Sequence, residues 1–100
     1  MRFLLSDHGE VFSTRPRGRE MREQVKANLD PGDTLELSLV DVEALSYSFA
    51  DEFVGALLQD LTPDRMTLED VPASLHRVIG KSVARRGVDI RPDELFSVTA

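Results

Sequence analysis

Apolar and polar positions change their period part-way along the chain, and the change divides it into elements. Leu35-Glu36-Leu37-Ser38-Leu39-Val40 alternates, with Leu35, Leu37 and Leu39 on one side, the period of an extended strand. Beyond Leu45 the spacing becomes helical: Phe49, Phe53 and Leu57 stand four apart, with Ala50, Val54, Leu58 and Leu61 beside them. The switch falls on Ser46 and Ser48. Ser48 followed by Asp51 has the spacing of an N-cap and its capping-box partner, which predicts a strand, a short loop and a helix entered at Ser48.

The flanking segments follow the same logic. Arg2–Leu5 and Glu10–Phe12 are short and β-prone, and Ser6-Asp7-His8-Gly9 between them has turn chemistry, so a hairpin is predicted. Pro16 opens a helix running to Leu29. Its apolar stripe is narrow, Met21, Val25 and Leu29, while Arg19, Arg22, Glu23 and Lys26 read as solvent-facing. Gly18 weakens its first turn by about 1 kcal/mol relative to alanine, and Asp30-Pro31-Gly32-Asp33 ends it. After Leu61-Thr62-Pro63-Asp64, the segment Arg65–Val71 reads as another strand. Ser74 then caps a third helix on Leu75, Val78, Ile79 and Val83, closed by Gly87 as its C′ residue. Val88-Asp89-Ile90 is a candidate short strand, and Pro92–Phe96 a single helical turn. The expectation is one α/β domain over residues 1–100, a small mixed sheet with parallel crossovers and about three helices, with residues 91–100 as a candidate tail.

Charge narrows the function classes. The formal net charge is −6, which disfavours general nucleic-acid binding because phosphates need cations to neutralise them. Arg15, Arg17, Arg19, Arg22 and Lys26 cluster early, whereas no basic residue occurs from Ala27 to Asp64, so a basic patch on a partner is expected to meet the acidic centre. There is no cysteine, and no apolar run approaches the ~20 residues of a membrane span. A cytoplasmic protein, away from membranes and a monomer or weak homodimer, is expected. His8 and His76 lack a third ligand at metal-like spacing, and no glycine-rich phosphate loop is present, so neither a metal nor another cofactor is expected.

Candidate chemistry concentrates at the helix start. A phosphate on Ser48 would meet free N–H groups and the positive end of the helix dipole, although Asp51 and Glu52 in the same turn would repel it. The competing reading of Ser48 is a plain cap. Asp51 and Glu52 point about 100° apart on a helix, which suits contacts with the dipole better than acid/base catalysis. The arginines from Arg15 to Arg22 read as a solvated face, and Phe49 and Phe53 as core.

Ser13-Thr14-Arg15-Pro16-Arg17-Gly18-Arg19-Glu20, the strand Leu35–Val40 and then Ser46-Tyr47-Ser48-Phe49-Ala50-Asp51-Glu52-Phe53 together resemble the STAS-like family of small bacterial domains, over roughly Val11 to Arg86. The family's mark is a strand leading into a Ser-Phe-Ala-Asp-Glu helix start. In the related anti-sigma factor antagonists a serine at that start is phosphorylated by a partner kinase. The resemblance puts that serine at Ser48, with Ser46 where an aspartate is common and Phe49 where glycine is. It implies a non-enzymatic regulatory interaction domain in a partner-switching pathway. Ser46, Tyr47, Ser48, Asp51 and Glu52 would form the docking or phosphorylation site, and a histidine-kinase-like ATPase or anti-sigma factor would be the partner. The alternative is a small ligand-binding or enzymatic domain using the same strand ends.

Overall fold

The computed structural model describes residues 1–96. Strands β1 (Arg2–Leu4), β3 (Leu35–Ser38) and β5 (Met66–Glu69) form a parallel sheet in the order β1-β3-β5, and β2 (Val11–Phe12) pairs in parallel with β4 (Ala44–Leu45). The α/β expectation with parallel crossovers holds. The expected hairpin does not form. Leu5–His8 makes a 3-10 turn whose Leu5 is fully buried, and the chain leaving Gly9 is carried away from β1 to β4. The turn residues are present, but burial of Leu5 and the apolar run on β3 decide the partners.

Register explains the buried face. Phe3, Leu37 and Leu68 are aligned across the sheet, as are Leu35 and Met66, while Arg2, Glu36 and Thr67 occupy the opposite face. The first set faces a helical rod. The rod starts as α2 (Tyr47–Ala50), runs through a π-helical turn at Asp51–Gly55 and continues as α3 (Ala56–Leu61). Phe49, Phe53, Leu57 and Leu58 on it are buried, with the Phe53 ring 6.1 Å from that of Phe3. The core positions read from the helical period are therefore confirmed.

Helices α1 (Arg15–Asn28) and α4 (His76–Arg85) both pack on the π turn of the rod. Helix α1 buries Met21 and Val25, as its stripe predicts. Gly18 has a reason to be there: a Cβ on it would lie 3.0 Å from Glu52 Cβ and 3.2 Å from the Phe49 carbonyl oxygen. Its small size lets α1 approach the rod closely, and this compensates for the weaker helix propensity.

Other boundaries shift. A 3-10 turn at Ala73–Leu75 precedes α4, and the Ser74 side chain caps nothing. Gly87 follows α4 with φ 69°, as a C′ glycine should. Val88–Ile90 is not a strand. It leads to α5 (Pro92–Leu95), the expected helical turn, whose Leu95 is buried in the core. The rest of the candidate tail, residues 97–100, lies outside the described residues.

Candidate functional site

The helix start is organised by Ser46 and not by Ser48. Ser46 has extended backbone, and its Oγ accepts the Phe49 N–H at 3.1 Å while its hydroxyl donates to the Ser13 carbonyl at 2.9 Å. It is both the N-cap and a tie to the segment after β2. The helix therefore starts two residues earlier than Ser48-Asp51 spacing predicts, because Ser46 Oγ reaches the third helical N–H and leaves Ser48 inside the first turn. Ser46→Ala is expected to lower stability by about 1 kcal/mol, whereas Ser48→Ala should change it by less than about 0.5 kcal/mol. Urea denaturation of both variants distinguishes the two assignments.

Tyr47 and Ser48 are half-buried. The Tyr47 hydroxyl is buried and, among the described residues, makes no hydrogen bond, while Lys81 Nζ lies 5.3 Å from its ring centroid. Such a contact gives the ring an electrostatic partner on α4.

Asp51 and Glu52 lie on the π turn and diverge towards the two flanking helices. Asp51 is 8% exposed. Arg86, following α4, grips it in a fork, Nε to Oδ1 at 2.8 Å and Nη2 to Oδ2 at 3.2 Å. Glu52 takes Arg22 of α1, whose Nη1 donates to Oε2 at 3.1 Å and to the Glu52 carbonyl at 3.0 Å. Arg15 spans the pair, with Nη1 at 2.7 Å from Asp51 Oδ2 and 3.1 Å from Glu52 Oε1, and Arg19 stands 3.9 Å from Glu52. Arg86, then Arg15, holds the Asp51 carboxyl below the usual carboxylate range, against the opposing effect of burial.

Two expectations are corrected here. The arginines of α1 are a solvated face only in part: Arg17 and Arg19 are exposed, whereas Arg15 and Arg22 turn onto the acids of the rod. Arg15, Gly18, Arg19, Arg22 and Lys26 recur at helical spacing along the side of α1 that meets the rod, and Lys26 pairs with Asp60 at 3.0 Å. Nor do Asp51 and Glu52 chiefly complement a helix dipole, since charge-assisted bonds to α1 and Arg86 take up their oxygens. The acids of the rod, Asp51, Glu52 and Asp60, are thus matched within the chain, whereas Asp41 and Glu43 of the same acidic stretch are exposed. Their missed arginine partners had a visible signal in the i, i+4, i+7 spacing of Arg15, Arg19 and Arg22 around a glycine. Arg86 had none, because nothing in its neighbourhood fixes how α4 lies on the rod.

Gly55 completes the arrangement. A Cβ there would meet Arg86 Cδ at 3.2 Å and the Ser82 carbonyl at 3.4 Å, so its small size lets Arg86 lie flat across the rod to reach Asp51. Nearby, Arg86 Nη1 donates to Gln59 Oε1 at 3.0 Å.

Three surface depressions lie elsewhere, lined by Thr34, Asp64 and Thr67, by Leu29, Asp60 and Arg65, and by Leu58, Met66 and Ile90 among others. They surround the amino-terminal ends of β3 and β5, and none is lined by Ser46–Glu52. Among the described residues no three His, Asp or Glu side chains converge as a metal site, and no helix is long and apolar enough to cross a membrane.

A family model described as a STAS-like domain of unknown function (DUF4325) matches residues 17–72. The chain belongs to this family. The matched segment of the STAS-like domain runs from α1 through β5 and holds Arg19, Arg22, Asp51 and Glu52, while Arg15 and Arg86 lie outside it. No curated protein and no solved structure matches the chain.

Proposed function

We propose that this STAS-like domain is a non-enzymatic regulatory interaction module of the anti-sigma factor antagonist type. It docks a histidine-kinase-like ATPase or anti-sigma factor through the surface around Tyr47 and Ser48, with Ser48 as phosphoacceptor. In the transfer, Ser48 Oγ forms a bond to the γ-phosphorus of the partner's nucleoside triphosphate, the bond to the bridging oxygen breaks, nucleoside diphosphate leaves, and a partner base takes the hydroxyl proton.

The observation that carries this reading is the charge around Ser48. The acids that would have repelled a phosphate are neutralised by Arg15, Arg22 and Arg86, and solvent-accessible cations flank them: Arg15 and Arg19 on Asp51 and Glu52, one turn along the rod, and Lys81 over the Tyr47 ring. The docking face therefore suits an acidic patch on the partner, and a negative charge at Ser48 would weaken that match. The commitment of Asp51 and Glu52 to ion pairs supports a module without catalytic chemistry of its own.

With the partner isolated by affinity capture, calorimetric titration tests the reading. Ser48→Glu is expected to weaken binding at least tenfold, about 1.4 kcal/mol, and Ser48→Ala to bind like the wild type. Equal affinities for the two variants would end it.

A further inference from the structure

The cluster at the π turn holds more positive charge than its two carboxylates neutralise. Four guanidinium groups, Arg15, Arg19, Arg22 and Arg86, stand against Asp51 and Glu52. Arg22 and Arg86 are largely buried, at 20% and 23% exposed, and Arg86 is bonded through all three of its nitrogens. Arg15 and Arg19 are not: their side chains are 39% and 54% exposed. Arginine carries five N–H donors. Among the described residues, Arg15 uses only Nη1 on the acids, and Arg19 makes no hydrogen bond, only its 3.9 Å ion pair. Ser48 precedes Asp51 and Glu52 by three and four residues, which puts it on the same side of the rod one turn earlier, and Arg15 bridges those two acids.

We propose that a phosphate on Ser48 is received by its own chain, Arg15 and Arg19 closing on it as an intramolecular anion clamp. The inference rests on Ser48 being the modified residue. Arg15 exchanges Glu52 for the phosphate, which has more charge and three acceptor oxygens. Glu52 keeps Arg22, and Asp51 keeps the Arg86 fork, so neither acid is left unpaired. The clamp and an acidic partner compete for the same two arginines. Phosphorylation thus removes the partner's contacts by occupying them, beyond any direct repulsion.

The experiment incorporates phosphoserine at position 48 during synthesis, which makes it independent of any kinase, and follows the second phosphate ionisation by phosphorus NMR. In the folded protein its pKa is expected about one unit below that of the same protein unfolded in urea, because nearby cations favour the dianion. Arg19→Gln should reverse much of the shift without touching the buried contacts, Arg15→Gln should reverse more, and Arg2→Gln, on the sheet face turned away from the rod, should leave it unchanged. Identical pKa values in the folded and unfolded protein, or a shift insensitive to both Arg15 and Arg19, would overturn the clamp. Mass spectrometry of wild-type protein incubated with the captured partner and ATP reports separately on whether Ser48 is modified. Failure there would remove the functional reading and leave the clamp measurement standing.

Discussion

Asp51→Ala is expected to destabilise the domain by about 3 kcal/mol, a drop in melting temperature of roughly 15 °C for a chain of this size. The variant leaves Arg86 and Arg15 without the carboxylate both converge on, and Arg86 lies across Gly55 with no comparable acceptor for its fork. Both arginines keep some contact with water, which holds the effect to the lower part of the range for broken buried pairs. The pH dependence has a definite sign. The folded carboxyl titrates below its ordinary value, so its stabilisation is fully present above the unfolded pKa of about 3.9 and is lost as pH falls through the lower, folded one. The stability gap between wild type and Asp51→Asn should be level above about pH 5 and close in stronger acid. Thermal melts by circular dichroism across this window check both statements. A gap that widens in acid would contradict the assignment.

Phe49→Ala should have the larger effect, about 4 kcal/mol. Its fully buried ring lies 5.0 Å from Phe12 and 5.4 Å from Phe53 by centroid, joining the β2–β4 pair to the rod. The same residue's backbone carbonyl receives the close approach of Gly18, so the space left cannot collapse without moving α1. With a total stability of order 5–15 kcal/mol, such a loss brings the domain near its unfolding threshold. Urea titration is expected to give a lower midpoint with an unchanged slope. An unchanged midpoint would mean the ring is not central to the core.

These two residues also mark how far the sequence could be read. Phe49 was legible because the helical period of Phe49, Phe53 and Leu57 is a local property, and so was the alternation from Leu35 to Leu39. The role of Asp51 was not, since it depends on Arg15 and Arg86, far away on either side in the chain and brought together only by packing. The cap was misplaced by two residues for a related reason. Two serines both suited a helix start locally, and Ser46 was selected by a distant acceptor, the Ser13 carbonyl. The same holds for the hairpin: turn residues specify a change of direction, while the identity of the neighbouring strand is settled by which apolar side chains must be covered. The opposing charges of α1 and the rod were visible in the sequence, but their mutual contact needed the geometry.

The all-parallel pairing bears on how the chain folds. Each strand finds its neighbour about thirty residues away, so no adjacent pair of strands can zip together early and serve as a seed. The short-range structure available early is the backbone bonding inside α1, the rod and α4, since the contacts that seat α1 and Arg86 on the rod also join residues 30 to 36 apart. Docking of α1 and Arg86 and closure of the strand ladder thus face the same loop-closure cost and belong to one late, cooperative step.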